Sequence, residues 1–349
     1  MIADRPSRRN FLTGASAATL GLGASALLGS SVIVSAQGVK IPIQLNWIPS
    51  ADFAGFYNAD AMGFYKAEGL TVEFLPGGPN MQAVEQVISG GVATAGLPTF
   101  LTTTVNAVQK KADLVVIGTV FQTSPLALIS LAKTPLKTAK DLVGKRIGGT
   151  QGRKRELDAV FRINNLDPND YRFVPVGFDP TPLVKGDIDV MSVFSTSEQT
   201  YSLTDKGIEI NLAYYADLGL PTYTDPIVVS GKVLKENRKA ILGFLRASIK
   251  GWEMNVRDPE TAPKFLAERY AGSTKIDIAR QIRVNRAQMP LTQSALTKEK
   301  GMLWLDKALI KGPIYAGLTA AGVTDLPDVD SYVDTSLLSE VYGTRNTLL

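Results

Sequence analysis

At 349 residues, 45% of them hydrophobic and 20% charged, the chain suits two globular lobes better than one core, since domains usually run to ~100–200 residues. Half of its +4 charge sits in residues 1–36, where Arg5, Arg8 and Arg9 face Asp4. The other 34 basic and 32 acidic residues leave no electrostatic footprint for nucleic acid. Histidine and cysteine are both absent, which excludes Ser-His, Cys-His and thiolate chemistry, disulfides and a lipidated anchor, but leaves carboxylate or lysine catalysis open.

The first element is an address. Ser7-Arg8-Arg9-Asn10-Phe11-Leu12 precedes a stretch from Thr13 to Ser31 rich in Ala, Gly, Ser and Leu, and no charge follows until Lys40. Val34-Ser35-Ala36 is a small-x-small cleavage pattern. This three-part layout predicts a twin-arginine export signal over 1–36, cleaved after Ala36, and hence a periplasmic protein. An uncleaved anchor is the alternative, weakened by the many Gly, Ser and Thr residues. No later stretch is long and apolar enough to span a membrane.

From Val39 onward short apolar runs alternate with helical patterns. Strands are expected at Ile41 to Leu45, Leu70 to Leu75, Ala93 to Gly96 and Leu114 to Thr119. Helices are expected at Phe53 to Met62, at Met81 to Ser89 with Met81, Val84, Val87 and Ile88 on one face, and at Phe100 to Lys110. A second set has strands at Leu126 to Leu131, Arg146 to Gly149, Arg172 to Val176, Ile188 to Ser192 and Glu209 to Ala213. Its helices are Lys154 to Asn164, Pro180 to Lys185 and Ser197 to Lys206. One last strand, Ile227 to Val229, precedes an almost wholly helical remainder that includes Arg238 to Arg257. Alternation of this kind predicts an α/β fold with parallel pairing. Asp179-Pro180 and Asp258-Pro259 are helix starts, with a capping carboxylate before a proline at the first turn.

Several segments resemble the NMT1/THI5-like (SsuA-like) solute-binding proteins of ABC importers. They are Trp47-Ile48-Pro49, Ala54-Gly55-Phe56-Tyr57, Gly63 to Leu70, Pro76-Gly77-Gly78 and Asp141 to Arg146. Val176-Gly177-Phe178-Asp179-Pro180 and Leu183 to Asp189 look like the branch that carries thiamine-precursor pyrimidines and its flavin-binding relatives. The resemblance implies a type II periplasmic-binding-protein fold. Lobe I would take 37–125 and 226–349, lobe II would take 126–225, and two strands would form the hinge. It also implies a small-molecule ligand and a membrane permease as partner; from the residues, a monomer is expected because no exposed apolar heptad or sheet edge stands out, and neither catalysis, metal nor cofactor is expected without histidine and cysteine. Sulfonate- or nitrate-type binding is the alternative within the fold. Pyrimidine synthases of the same family name use a cysteine cluster and a histidine, neither of which is present here.

Ligands of open α/β sheets bind at the carboxyl ends of strands, and the candidate residues are those at such ends. Trp47 could stack on a flat ring, or anchor the core. Asp52 is a ligand contact or an N-cap; Phe53 and Tyr57 share a helical face and could equally be core. Thr99 could offer its hydroxyl or cap the next helix. Gly148-Gly149-Thr150-Gln151-Gly152 permits close backbone approach, with Gln151 and Gly152 as contacts, and Arg153-Lys154-Arg155 adds positive charge. Phe194 is the expected ring opposite Trp47. Ser195 and Glu198 are either contacts or a capping box. Tyr223 and Asp225 lie at the return hinge.

Overall fold

The computed structural model describes residues 38–79 and 84–349. The expected export signal and Met81 lie outside the described residues.

Residues 37–349 form one unit built on two five-stranded sheets. The first contains β1 (Val39–Gln44), β2 (Leu70–Leu75), β3 (Ala95–Gly96), β4 (Val115–Phe121) and β10 (Thr224–Val229), in the order β2-β1-β3-β10-β4. The second contains β5 (Leu126–Leu131), β6 (Arg146–Gly149), β7 (Arg172–Pro175), β8 (Val190–Phe194) and β9 (Ile210–Tyr214), in the order β7-β6-β8-β5-β9. Lobes I and II are the bodies around these sheets. β4 is buried almost throughout because helices and loops cover both sheet faces, so it reads as a continuous apolar run.

The expectation of parallel pairing holds for only part of each sheet. β1 pairs parallel with β2 and β3, but β10 runs antiparallel to β3 and β4. In lobe II, β6 pairs parallel with β7 and β8, and β5 runs antiparallel to β8 and β9. The antiparallel strands are those next to the crossings between sheets: β4 leads into β5, and β9 returns to β10. That return matters for the site. The register sets Val228 beside Gly96, and Thr224 bridges to Phe100, so the amino end of β10 arrives at the carboxyl edge of β3. The two crossings are tied by the Ser124 hydroxyl, which accepts from Thr224 Oγ1 at 2.8 Å; both residues are buried.

The helix Arg238–Arg257 buries Phe244, Leu245 and Trp252 against helix Ala54–Ala61. Glycine makes the approach possible: a Cβ on Gly251 would lie 2.0 Å from the Gly55 carbonyl oxygen, and one on Gly55 2.2 Å from the Trp252 ring. The expected Asp179 and Asp258 starts form only in part: the helices begin at Thr181 and Thr261, with Pro180 and Glu260 rather than the acids as N-caps, but both carboxylates still accept from nearby backbone. Asp179 accepts from Thr181 N at 2.9 Å, and Asp258 from Glu260 N at 3.0 Å.

Candidate functional site

The lobes face each other across the carboxyl ends of β1 and β3, the amino end of β10, and the ends of β7 and β8. Trp47 leaves the end of β1 half-buried. Its loop is pinned by backbone: Gly77 N donates to the Trp47 carbonyl at 2.9 Å. A side chain on Gly77 would press within 2.5 Å of the Leu45–Trp47 backbone, so glycine is required there. Gln44 adds a staple, donating to the carbonyls of Leu45 and Leu75 at 2.9 and 3.1 Å.

Beside the tryptophan stand two acids. Asp52 lies in the turn Ala51–Phe53, where Ser50 rather than Asp52 is the N-cap. Helix Ile278–Gln288 clamps this turn from both sides. Gln281 accepts from Ala51 N at 2.7 Å, and Gln288 donates to Ala51 O at 2.6 Å. One Asp52 oxygen accepts from Ser50 Oγ at 3.0 Å, while Oδ1 is buried with no hydrogen-bond partner. Burial pushes the Asp52 carboxyl up to about 6, opposed by the hydroxyls of Ser50 and, across the cleft, Thr196.

Asp225 is 3% exposed and sits at φ 51°, in the left-handed region that a non-glycine residue rarely occupies. Its carboxyl lies well above the usual range because it is buried and faces Asp52. Asn46 opposes this by donating to Oδ1 at 2.6 Å. Its backbone N–H reaches Thr99 O at 3.4 Å, which brings Asn46, Asp52, Thr99 and Asp225 to one edge.

Lobe II meets this edge with aromatic rings, though not as expected. The ring against Trp47 is Phe178, with centroids 5.5 Å apart and planes at 58°. Phe194 instead stacks on Phe100 at 5.7 Å and 13°, and the Arg153 guanidinium lies 4.9 Å from the Phe100 centroid and 5.6 Å from that of Phe194. β8 pairs Phe194 with Leu126 at the start of the sheet crossing, which holds it at the hinge side.

Other expected contacts have structural partners. Phe53 and Tyr57 are fully buried in the lobe I core, and Tyr57 stacks on Tyr270 at 4.5 Å. Tyr57 borders a separate hollow of about 320 Å³, lined also by Pro49, Asp60 and Phe74. Tyr223 is 2% exposed and its hydroxyl accepts from Asp306 N at 2.8 Å, so it is packing rather than a cover. The Ser195/Glu198 capping box does not form. Ser197 is the N-cap of helix Glu198–Thr204, Ser195 N donates to Pro125 O at 2.8 Å, and Glu198 pairs with Arg280. Gln151 and Gly152 are exposed at the start of helix Arg153–Ile163.

The lobes are also joined outside the cleft. Arg280 pairs with Glu198 and Asp205, and Arg283 with Asp205 at 2.6 Å. Among the described residues no cluster of acids could hold a metal ion, and no helix is long and apolar enough to cross a membrane.

The chain matches the family described as NMT1/THI5 like over residues 50–262, more than half of its length. It belongs to that family. Among relatives, it is 27% identical over 280 residues to the riboflavin-binding protein RibY of Chloroflexus aurantiacus, covering 77% of this chain and 78% of RibY. It is 24% identical over 235 residues to the 4-amino-5-hydroxymethyl-2-methylpyrimidine phosphate synthase of Legionella pneumophila, covering 66% and 73% of the two chains. Among solved structures, it resembles the periplasmic aliphatic sulphonate binding protein SsuA of Escherichia coli, with TM-score 0.62 and 14% identity over 85% of this chain and 92% of that one. That likeness shows the two-lobed periplasmic-binding-protein fold. The relatives of this chain thus include one named as a riboflavin-binding protein and one named as a synthase, and the site has to separate the two readings.

Proposed function

We propose that this family member is a solute-binding protein whose cleft captures a flat, nitrogen-bearing heterocycle of the flavin or aminopyrimidine class. The observation that carries the reading is the lobe I edge, where Trp47, its backbone pinned, stands beside Asp52, whose Oδ1 is buried without a hydrogen-bond partner. Such an edge suits a ring with N–H groups, which stacks on Trp47 and donates to the carboxylate. A sulfonate or nitrate would meet two buried acids there. The charged side chain at the lobe II edge, Arg153, is already engaged with Phe100, Phe194 and Glu156.

Binding without turnover is supported by the chain's lack of histidine and cysteine, the residues that its resemblance implies for the fungal-type synthases. Export through the twin-arginine route to the periplasm, delivery to an ABC permease and a monomeric state complete the proposal. It takes 37–125 with 226–349 and 126–225 as the two lobes that close.

Calorimetric titration tests it with riboflavin, 4-amino-5-hydroxymethyl-2-methylpyrimidine and taurine. Binding of riboflavin or the pyrimidine, recovered unchanged, is expected. Binding of taurine alone, or a chemically altered ligand, would overturn it.

A further inference from the structure

The reading above uses Trp47 and Asp52 and leaves Phe178, the lobe II ring set against Trp47, without a role. Phe178 is 54% exposed, which is unusual for a ring of its size. It projects from the loop after β7, between Gly177, where an added Cβ would touch nothing, and Asp179-Pro180, which precede the helix Thr181–Lys185. Its aromatic neighbour is Trp47 of the opposite lobe. The two rings differ in how firmly they are held. Trp47 has its backbone locked by Gly77 and by the Gln44 staple on the preceding strand, whereas Phe178 sits on an open glycine-hinged loop.

The spacing makes a simple sandwich impossible as the rings stand. A flat ring stacked on two faces needs about 7 Å between them, since carbon faces pack at ~3.5 Å each. Trp47 and Phe178 are already in contact at 5.5 Å and tilted by 58°. A ligand that stacks on the indole face turned toward Phe178 must therefore displace that ring.

We infer that Phe178 is the gate and specificity ring of the site: it covers Trp47 in the empty cleft and moves onto the outer face of the bound heterocycle. This rests on the flat-ligand reading above. In this role Phe178 governs how fast the ligand leaves and how large a ring fits, because a fused ring system such as a flavin offers it more face than a single pyrimidine. Phe194, the ring expected from sequence opposite Trp47, has no such freedom, because it is stacked on Phe100.

The test has one arm that needs no ligand. In the empty protein, Phe178→Ala should expose Trp47 and shift tryptophan emission to the red, and the shift should vanish in a Trp47→Phe background. Stopped-flow measurement with riboflavin and the hydroxymethylpyrimidine should give about tenfold faster dissociation for Phe178→Ala, as expected for lost stacking, and association at least as fast as in the wild type, since no ring then has to be displaced. Phe178→Leu should recover part of the loss, and the melting temperature should stay within about a degree of wild type. Unchanged emission, or unchanged dissociation while Trp47→Ala still weakens binding, would overturn the gate. If neither probe binds the wild type, the flat-ligand reading falls, and the emission arm still decides whether the two rings meet.

Discussion

Two aromatic contacts bridge the lobes, and they are built for opposite purposes. Phe100 and Phe194 stack nearly parallel beneath the Arg153 guanidinium, and Phe100 is only 8% exposed. Both lie next to the sheet crossings: Phe100 bridges to Thr224, and Phe194 pairs with Leu126. Trp47 and Phe178 meet at a tilt, without a cation, and Phe178 is largely in water. Rotation about a hinge displaces a group in proportion to its distance from the axis. A contact beside the crossings can persist through closure, while one carried on loops beyond them is free to break. The same kind of ring pair thus serves as a bearing in one place and a cover in the other.

The comparison is broken most easily at the hinge. Phe100→Ala should cost about 3 kcal/mol of stability, the lower end for truncating a buried phenylalanine, because it also strips Arg153 of its platform. Thermal unfolding of the empty protein checks this, and an unchanged melting temperature would show that the hinge pair holds nothing. At the mouth the pattern should reverse. Trp47→Ala should weaken heterocycle binding ten- to a hundredfold, equivalent to roughly 1–3 kcal/mol of stacking, with the melting temperature nearly unmoved. Loss of stability with affinity intact would make Trp47 a second bearing.

Asp52 sharpens the comparison through pH. Its carboxyl is raised to about 6, so the folded empty protein holds a proton more tightly than the unfolded chain. The stability this proton provides is greatest below the ordinary carboxylate range and declines as pH rises toward about 6. A donor ligand favours the ionised acid, so affinity should move the other way and fall about tenfold from pH 7 to pH 5. Asp52→Asn should flatten the affinity profile and weaken the pH dependence of stability, leaving the part that the buried Asp225 carboxyl contributes. A ligand whose affinity ignores pH in the wild type is not held by this carboxylate.

The smallest effect belongs to the rim. Arg280 and Arg283 join Glu198 and Asp205 through side chains that all keep some contact with solvent, and such pairs contribute less than about 1 kcal/mol each. Arg280→Ala should weaken binding about two- to fivefold at low salt and less at high salt. A larger, salt-insensitive loss would instead implicate the Asp52 turn, which the same helix clamps through Gln281 and Gln288.

Much of the architecture follows from local sequence. Leu70–Leu75, Leu126–Leu131, Arg146–Gly149 and Arg238–Arg257 run as their patterns predict. Apolar periodicity and proline and glycine boundaries act over a few residues and need no partner. The absence of histidine and cysteine likewise narrows the chemistry before any fold is known, and Trp47, Asp52, Thr99 and Asp225 are legible as residues at strand ends. Tertiary structure decided what each of them does. Phe53, Tyr57 and Tyr223 stand as close in sequence to the cleft edge as Asp52 does, but their side chains turn into packed cores. Sequence distance from a strand end cannot report that rotation. Asp225 reaches Asn46, 179 residues away, only because β10 returns antiparallel in a register that sets Thr224 against Phe100. Phe178 was visible within a family segment, yet its meeting with Trp47 depends on two loops from different sheets. A pairing between lobes is set by how the bodies dock, and no local pattern of either segment encodes that.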